Sequence, residues 1–344
     1  MNIPTFHLQG FDTPPHGVID MLRGLSWPND TSVYILDPLN GLKLSVDQIA
    51  QDQSLWKFVI INTHEGASHH WFDRLLPELH HRAKVPWDHI AIRSSCLWNP
   101  ESPVAHIGSI VDYVTDTVAE YPDIIDAPSD IPTHRYVCLN NMHRWQRLAL
   151  VESLIDRNIL EFGKVSYLQA PAQEVSQKNQ RLFPLVLDDA MISWSQGHRI
   201  DYPALANAMF NVVTESCYES QPGISKFETH HLPGLTEKTY KSILLAQIPI
   251  FLAPRYTVKC YRELGFDPFD DVVDHSYDEE SDPVKRIGLV ADQIQRICKL
   301  DLEDIQNLKV QNAPRFQANL DRFRWYSGNH LADLPKWQKW LESI

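Results

Sequence analysis

Residues 235–254, LTEKTYKSILLAQIPIFLAP, combine a helix start, an amphipathic helix and a buried strand. Thr236 is a residue type that favours the N-cap position, and the apolar spacing after Glu237 predicts a helix over Glu237–Gln247. The apolar run Ile248–Leu252 then predicts a strand with both faces covered. A helix followed directly by such a strand is typical of parallel sheets in α/β proteins.

The same alternation extends in both directions from this stretch. Short apolar runs predict strands, and apolar residues at helical spacing predict the helices between them. The other predicted strands are Ser32–Asp37, Trp56–Asn62, His89–Arg93, Arg135–Leu139, Val165–Leu168, Phe210–Thr214 and Asp271–Val273. The other predicted helices are His69–His81, Ile107–Val118, Trp145–Leu160, Tyr256–Leu264 and most of the tail from Pro283 onward.

The length of 344 residues predicts two domains, because a single core rarely serves so long a chain. The Pro- and Asp-rich segment Tyr121–Pro132 marks the expected boundary. We therefore expect an α/β fold with two Rossmann-like domains, residues 1–130 and 131–300. Helices in residues 301–344 are expected to pack back on the N-terminal domain.

The composition restricts the classes of partner and location. A net charge of −13 argues against a duplex nucleic-acid partner, although a local basic groove stays open. No apolar run approaches the roughly 20 residues of a membrane span, and the N-terminus does not have the pattern of a signal peptide. The five cysteines show no CxxC spacing. These features predict no membrane insertion and a cytoplasmic location, or the host cytoplasm for a viral protein.

The helix start at Thr236 is a candidate phosphate site. Free N–H groups and positive potential at a helix N-terminus bind anions, and Lys238 and Lys241 add full charges. A carboxylate at Glu237 suits the two hydroxyls of a ribose. The alternative is an ordinary capped helix with solvated charges.

A second candidate for phosphate binding is LNNMHRWQR, residues 139–147, which follows a predicted strand and opens a helix. Arg144 or Arg147 would be placed to hold a diphosphate at this sheet edge. The alternative is a pair of surface arginines with no ligand.

Asn62-Thr63-His64-Glu65-Gly66 follows the strand WKFVII and supplies the candidate catalytic residues. Glu65 would act as the general base, with His64 as its substitute. The alternative is a turn whose charge is solvated. A zinc site is not predicted, because the spacing from His64 and Glu65 to His69 and His70 departs from His-Glu-x-x-His.

Other common catalytic patterns are missing from the sequence. It contains neither GxGxxG, nor GxxxxGK[ST], nor GxSxG, which argues against dinucleotide, P-loop and α/β-hydrolase chemistry. The acidic pairs at 188–189 and 270–271 do not have the Asp-x-Asp spacing of a common metal-binding motif. No metal requirement is therefore predicted.

The stretch from Thr236 onward resembles a glycosyltransferase family that is common in phages, large viruses and some bacteria. The resemblance covers roughly residues 135–300 and includes Val165-Ser166-Tyr167. It also includes Leu264, Gly265, Phe266, Phe269, Asp274, Ser276, Tyr277, Asp278 and Arg286. The Thr-Glu-Lys start is similar to the donor site of the α1,3-fucosyltransferases. Where those enzymes have an Asn-containing motif, this chain has Glu215 and FETHH (residues 227–231), so fucose is not predicted as the sugar.

The resemblance implies a GT-B-like, nucleotide-sugar-dependent glycosyltransferase. We expect the transfer to be inverting, with Glu65 as its base, and independent of metal. Its cofactor requirement would be none, with the nucleotide-sugar as substrate and a glycan, a protein or a modified base as acceptor. Two alternatives stay open: sugar transfer to a nucleic-acid base, as in phage DNA modification, and a non-catalytic binding protein on the same scaffold. The predicted donor-binding residues are Arg144, Arg147, Glu215, Thr236, Glu237, Lys238 and Lys241.

Overall fold

Two separate parallel sheets organise the chain, as seen in a computed structural model. The structure describes residues 4–9, 18–36, 42–63, 69–94, 105–108, 132–187, 205, 207–216, 218–219, 233–329 and 333–344. Tertiary contacts divide the chain into two units. The first unit is Met1–Asp116 with Thr229–Gly234 and Trp325–Ile344; the second is Thr117–Glu228 with Leu235–Arg324.

The first unit contains a parallel sheet of five strands in the order β1-β2-β3-β4-β5. The strands are β1 (Thr5–Gln9), β2 (Thr31–Leu36), β3 (Trp56–Thr63), β4 (Ile90–Ser94) and β5 (Ala105–Gly108). The helices between them are α1 (Val18–Arg23), α2 (Leu42–Gln51) and α3 (His69–His81).

Apolar side chains cover both faces of this sheet, and every residue of its inner strand β2 is therefore buried. Tyr34 and Leu36 belong to one cluster, which includes buried residues of α2 and α3. Val33 and Ile35 belong to the other, which includes buried residues of α1. Successive residues of a strand point to opposite faces, so the continuous apolar run of β2 serves two cores.

The second unit contains a parallel sheet of four strands in the order β7-β6-β8-β9. The strands are β6 (His134–Asn140), β7 (Gly163–Tyr167), β8 (Ala208–Thr214) and β9 (Ile248–Leu252). Its helices are α4 (Trp145–Asp156), α5 (Glu237–Leu244), α6 (Thr257–Glu263), α7 (Pro283–Ile297) and α8 (Leu302–Gln311). Helices α4 and α7 pack against each other, and Arg157 at the end of α4 pairs with Asp292 of α7.

The C-terminal helices do not form one layer on the first unit. Helix α8 contacts β6 and β8 of the second sheet. Helix α9 (Ala313–Gly328) crosses the division between the units, whereas Trp337 and Trp340 of α10 (Leu334–Glu342) pack into the core beside α1. The longest helix in the described ranges, α9, has 16 residues, and no helix there has the length and apolar character needed to cross a bilayer.

The structure confirms an α/β chain with two parallel sheets and is compatible with two Rossmann-like domains. The predicted strand Asp271–Val273 is wrong, and the predicted helix Ile107–Val118 is wrong at its first two residues. The rest of that helix, residues 109–118, lies outside the described residues. Residues 107 and 108, expected in a helix, lie in β5; Asp271–Val273, expected in a strand, form a turn in which the N–H groups of Val272 and Val273 both donate to the Phe269 carbonyl. The predicted boundary at 121–132 lies outside the described residues except for Pro132.

Candidate functional site

The second sheet has its topological switch point between β6 and β8. From β6 the chain continues to β7 on one side, and from β8 it continues to β9 on the other. The loops that leave two such strands move apart, and the crevice at the carboxyl ends of the strands is where α/β sheets bind ligands. The loop after β6 leads into α4, and the loop after β8 begins at Glu215.

Two predicted arginines stand at the start of α4, on this crevice. Arg144 is the exposed N-cap residue, and its side chain makes no capping hydrogen bond. Arg147 is buried and donates to the carbonyls of Met142 and Thr214, at 3.1 and 2.9 Å. Its Nε atom has no hydrogen-bond partner among the described residues. Arg147 therefore ties the loop after β6 to the end of β8, while Arg144 presents a cation to solvent.

A buried row of polar side chains supports the crevice from below. The Thr214 hydroxyl of β8 donates to Asn140 Oδ1 at the end of β6, at 2.8 Å. Asn140 donates from its side chain to the Ser166 carbonyl of β7 and from its backbone to the Ser166 hydroxyl. Buried polar groups are expensive unless paired, so this row holds the three strand ends in one arrangement.

Glu215 is buried and organises the start of α5. Its carboxylate accepts hydrogen bonds from the backbone N–H of Thr236 at 3.1 Å and from the Thr236 hydroxyl at 2.6 Å. The Thr239 hydroxyl donates to the same group at 3.0 Å. The N-terminus of α5, which is predicted from the sequence to bind phosphate, thus already has the Glu215 carboxylate beside it.

Glu237 and Lys238 form a partly exposed ion pair beside Glu215. Lys238 Nζ lies 2.7 Å from Glu237 Oε1 and 3.9 Å from Glu215 Oε2. Burial tends to raise the pKa of Glu237, but Lys238 and the buried Lys241 lower it to about 2. Glu237 is therefore a carboxylate at neutral pH and can accept hydrogen bonds from hydroxyl groups.

His143, Tyr167 and Glu174, which were not predicted as site residues, lie together beside Arg144. His143 Nδ1 lies 2.8 Å from the Tyr167 hydroxyl, and His143 Nε2 lies 2.9 Å from a carboxylate oxygen of Glu174. The Tyr167 hydroxyl also lies within 3.4 Å of the backbone N–H and carbonyl of Arg144. Burial raises the pKa of Tyr167 to about 12, so its hydroxyl keeps its proton at neutral pH.

The loop after β8 is joined to α7 by a buried ion pair. Arg286 Nη1 donates to Glu219 Oε2 at 2.9 Å and to the Ala253 carbonyl at 3.1 Å. The Arg286 guanidinium also lies over the Tyr218 ring, 5.2 Å from its centroid, and Trp145 of α4 donates to the Glu219 carbonyl. The pair therefore connects the loop at the crevice to α4 and α7.

Several of the residues on which the family resemblance rests make contacts within the second unit that stabilise its fold. Asp278 accepts hydrogen bonds from the backbone N–H groups of Val258 and Lys259 at the start of α6, each at 2.9 Å. The Tyr277 hydroxyl accepts a hydrogen bond from the backbone N–H of Phe251 in β9. Gly265 has a φ of 86° and lies against Arg322, where a Cβ atom would collide with the guanidinium.

A cavity of about 310 Å³ lies near β9 and contains none of the predicted site residues. Its walls include Arg262, Asp270, His275 and Asp278. Arg262 donates twice to Asp270, and His275 Nδ1 lies 3.0 Å from Asp270, so the arginine of the lining is already paired, while Asp274, Asp278 and Glu279 add further carboxylates. A cavity with this acidic lining would repel a diphosphate, and we do not place the donor there.

The structure brings six of the seven predicted donor-binding residues to the crevice edge: Arg144, Arg147, Glu215, Thr236, Glu237 and Lys238. Lys241 lies one turn further along α5. The predicted catalytic residues Glu65 and His64 lie outside the described residues. Within the described ranges, no group of three or more His, Cys, Asp or Glu side chains could hold a metal ion.

Comparison of the chain with protein-family models, with curated proteins and with solved structures found no match.

Proposed function

We propose that this chain is a GT-B-type glycosyltransferase that moves a sugar from a nucleotide-sugar donor to an acceptor hydroxyl. The observation that carries the proposal is the placement of Arg144 at the uncapped start of α4, after β6, and of the Glu237–Lys238 pair at the start of the helix that follows β8, on the two strands that flank the switch point. Such crevices bind nucleotides in α/β sheets, and the helix end supplies the positive potential that a diphosphate requires.

The start of α4, rather than that of α5, is the proposed position of the diphosphate. The Glu215 carboxylate already lies at the N-terminus of α5, where it accepts hydrogen bonds from the Thr236 N–H and the Thr239 hydroxyl, and its charge would repel a second anion. Helix α4 has twelve residues and begins at an exposed arginine, and among the described residues no carboxylate accepts a hydrogen bond from the N–H groups of its first turn. Lys238 is partly exposed and would contribute a second cation from α5.

The remaining donor contacts are assigned by chemistry. Glu237 is ionised and would accept hydrogen bonds from the ribose hydroxyls, while Glu215 would act indirectly by holding Thr236. Cationic side chains and a helix end can stabilise the charge of a leaving diphosphate, so the proposed reaction needs no metal. Glu65, with His64 as its substitute, remains the sequence-based candidate for the base of an inverting transfer.

The test is calorimetric binding of a panel of nucleoside diphosphates, followed by hydrolysis assays with the matching nucleotide-sugars. Arg144→Ala and Lys238→Ala should each weaken binding of the preferred nucleoside diphosphate by about 1–3 kcal/mol, because each removes a charge-assisted contact. Lys299→Ala is the matched control. Lys299 is an exposed cation one residue from Leu300, whose carbonyl bonds Arg135 near the opposite end of β6.

The results distinguish the alternatives. Binding with hydrolysis supports an enzyme, whereas binding without turnover on glycan, protein or base acceptors supports a non-catalytic binding protein. Unchanged affinity in both variants would place the donor elsewhere. An equal loss of affinity in Lys299→Ala would show that the variants weaken binding only by making the overall charge of the protein more negative.

A further inference from the structure

The Tyr167 hydroxyl lies between a histidine ring and the first backbone groups of α4. His143 Nδ1 is 2.8 Å from it, the Arg144 N–H is 3.4 Å away, and the Arg144 carbonyl is 3.3 Å away. A phenol hydroxyl can donate one hydrogen bond and accept others. This hydroxyl therefore has an acceptor in the Arg144 carbonyl, a donor in the Arg144 N–H, and a histidine nitrogen that can be either.

The other side of the His143 ring faces a carboxylate. Nε2 lies 2.9 Å from Glu174 Oε2, and the His143 side chain is 25% exposed. The carboxylate requires a proton on Nε2, because an ionised carboxylate can only accept hydrogen bonds. The His143 ring then has two possible forms, which differ only in whether Nδ1 carries a proton.

Both protonation states of His143 are fully hydrogen-bonded in this arrangement. In the neutral ring, Nδ1 accepts from the Tyr167 hydroxyl, whose oxygen accepts from the Arg144 N–H. In the cationic ring, Nδ1–H donates to the Tyr167 oxygen, and the hydroxyl hydrogen turns to the Arg144 carbonyl. Only hydrogens move, so gaining a proton from solvent costs no rearrangement of heavy atoms.

Charged side chains of opposite sign lie near the His143 ring, and they have opposite effects on a cationic ring. Glu174, from the segment after β7, favours the cationic ring. The guanidinium groups of Arg144 and Arg147 lie close by, since they donate to the carbonyls of His143 and Met142, and like charges disfavour a cationic ring. An anion at the start of α4 would offset the two arginines and leave the attraction of Glu174 dominant. Anion binding and protonation of His143 would then favour each other.

We propose that His143 takes up a proton from solvent when a diphosphate binds at the start of α4, as a positioning residue that adds a charge to the anion site. This inference rests on the proposed donor site. It names the diphosphate as the group that α4 recognises and makes its binding dependent on pH. The proton goes to Nδ1, and the Tyr167 hydroxyl keeps its own proton but changes its acceptor.

Calorimetric titration with inorganic pyrophosphate tests the proposal. Titrations at pH 7 in two buffers of different ionisation enthalpy measure the protons taken up on binding. Pyrophosphate also exchanges protons of its own, and comparison with variants at the same pH separates that contribution from the one that depends on His143. The wild type should take up more protons than His143→Gln, by as much as about one, and its affinity relative to that of His143→Gln should rise by up to about tenfold for each pH unit lowered.

Two variants make the readout specific. Tyr167→Phe keeps the buried ring but removes the hydroxyl that accepts Nδ1–H, so its proton uptake should fall toward that of His143→Gln. His134→Gln alters a partly buried histidine at the other end of β6 and should leave proton uptake at the wild-type value. A purely structural role of His143 would change affinity without changing the proton count.

Each outcome bears on the inference separately from the proposed function. Equal proton uptake by the wild type and His143→Gln would overturn the inference and leave the donor site standing. A His143-dependent uptake without nucleotide-sugar turnover would support the inference and count against the enzyme. Failure of pyrophosphate and all nucleoside diphosphates to bind would overturn both.

Discussion

The carboxylate of Glu215 accepts two hydrogen bonds from Thr236, one from its backbone N–H at 3.1 Å and one from its hydroxyl at 2.6 Å. A negative charge of the protein therefore occupies the helix end that a phosphate would otherwise use. The consequence is a division of roles between the two helices. Helix α5 is held by its own anion, and helix α4 is left as the candidate for a ligand's anion.

Glu215→Gln should destabilise the protein by about 1–3 kcal/mol. The substitution replaces a buried acceptor of three hydrogen bonds with an amide that presents two N–H groups to donors. Denaturant unfolding followed by circular dichroism measures the loss, and Glu263→Gln, an exposed position on α6, is the control. An equal effect of the two substitutions would contradict a structural role for the buried carboxylate.

The ion pair of Glu237 predicts a pH dependence of stability. The pKa of Glu237 is about 2 in the folded protein against an ordinary value of 4.5, because Lys238 and Lys241 outweigh the effect of burial. A lowered pKa means that the stabilisation is complete above pH 4.5 and is lost as the pH falls toward 2. The free energy of unfolding of the wild type should therefore exceed that of Glu237→Gln most above pH 5, and the difference should shrink on acidification. A difference that stays constant from pH 6 to pH 3 would be evidence against this ion pair.

The buried pair of Arg286 and Glu219 should show strong coupling in a double-mutant cycle. Arg286→Met alone leaves the Glu219 carboxylate without its cation, and we expect a loss of about 3–5 kcal/mol. Adding Glu219→Gln removes the unpaired charge, so the double variant should recover part of that loss. Urea unfolding of the wild type, both single variants and the double variant measures the coupling, and strictly additive effects would contradict it.

Trp337→Ala should destabilise the first unit by about 3–5 kcal/mol, since the side chain is fully buried against the first sheet. Trp337→Phe should cost much less, because its indole N–H has no partner among the described residues and its loss leaves no hydrogen bond broken. Thermal unfolding compares the two variants. Equal losses would mean that the indole N–H, rather than the apolar volume, matters at this site.

Sequence patterns predicted the interior of the fold better than its edges. Ile248–Leu252 is a strand with the predicted bounds, because five successive buried residues leave no other assignment. Strand β1 was not predicted, since TFHLQ at its edge position contains only two large apolar residues and Leu8 is exposed. The strand predicted at Asp271–Val273 is wrong. Two adjacent valines suggest a strand, whereas hydrogen bonds to the Phe269 carbonyl form a turn.

The candidate site, too, could be predicted only in part from the sequence. Arg144 and Thr236 could be selected from the sequence because each stands just before a helix. The network of His143, Tyr167 and Glu174 could not, because 24 positions separate His143 from Tyr167 and no periodic pattern links them. Only the parallel pairing of β6 with β7 brings these side chains together.

The position of α10 has a consequence for the order in which the protein is made. Trp340 donates to the Asp88 carbonyl across 252 positions, and it packs with Trp337 against Val33, Ile35 and Phe58. A ribosome releases these strands long before it synthesises the two tryptophans. The part of the first sheet that these two tryptophans cover, beside α1, therefore stays exposed until they emerge, so the nascent chain carries an apolar surface of the kind that chaperones bind.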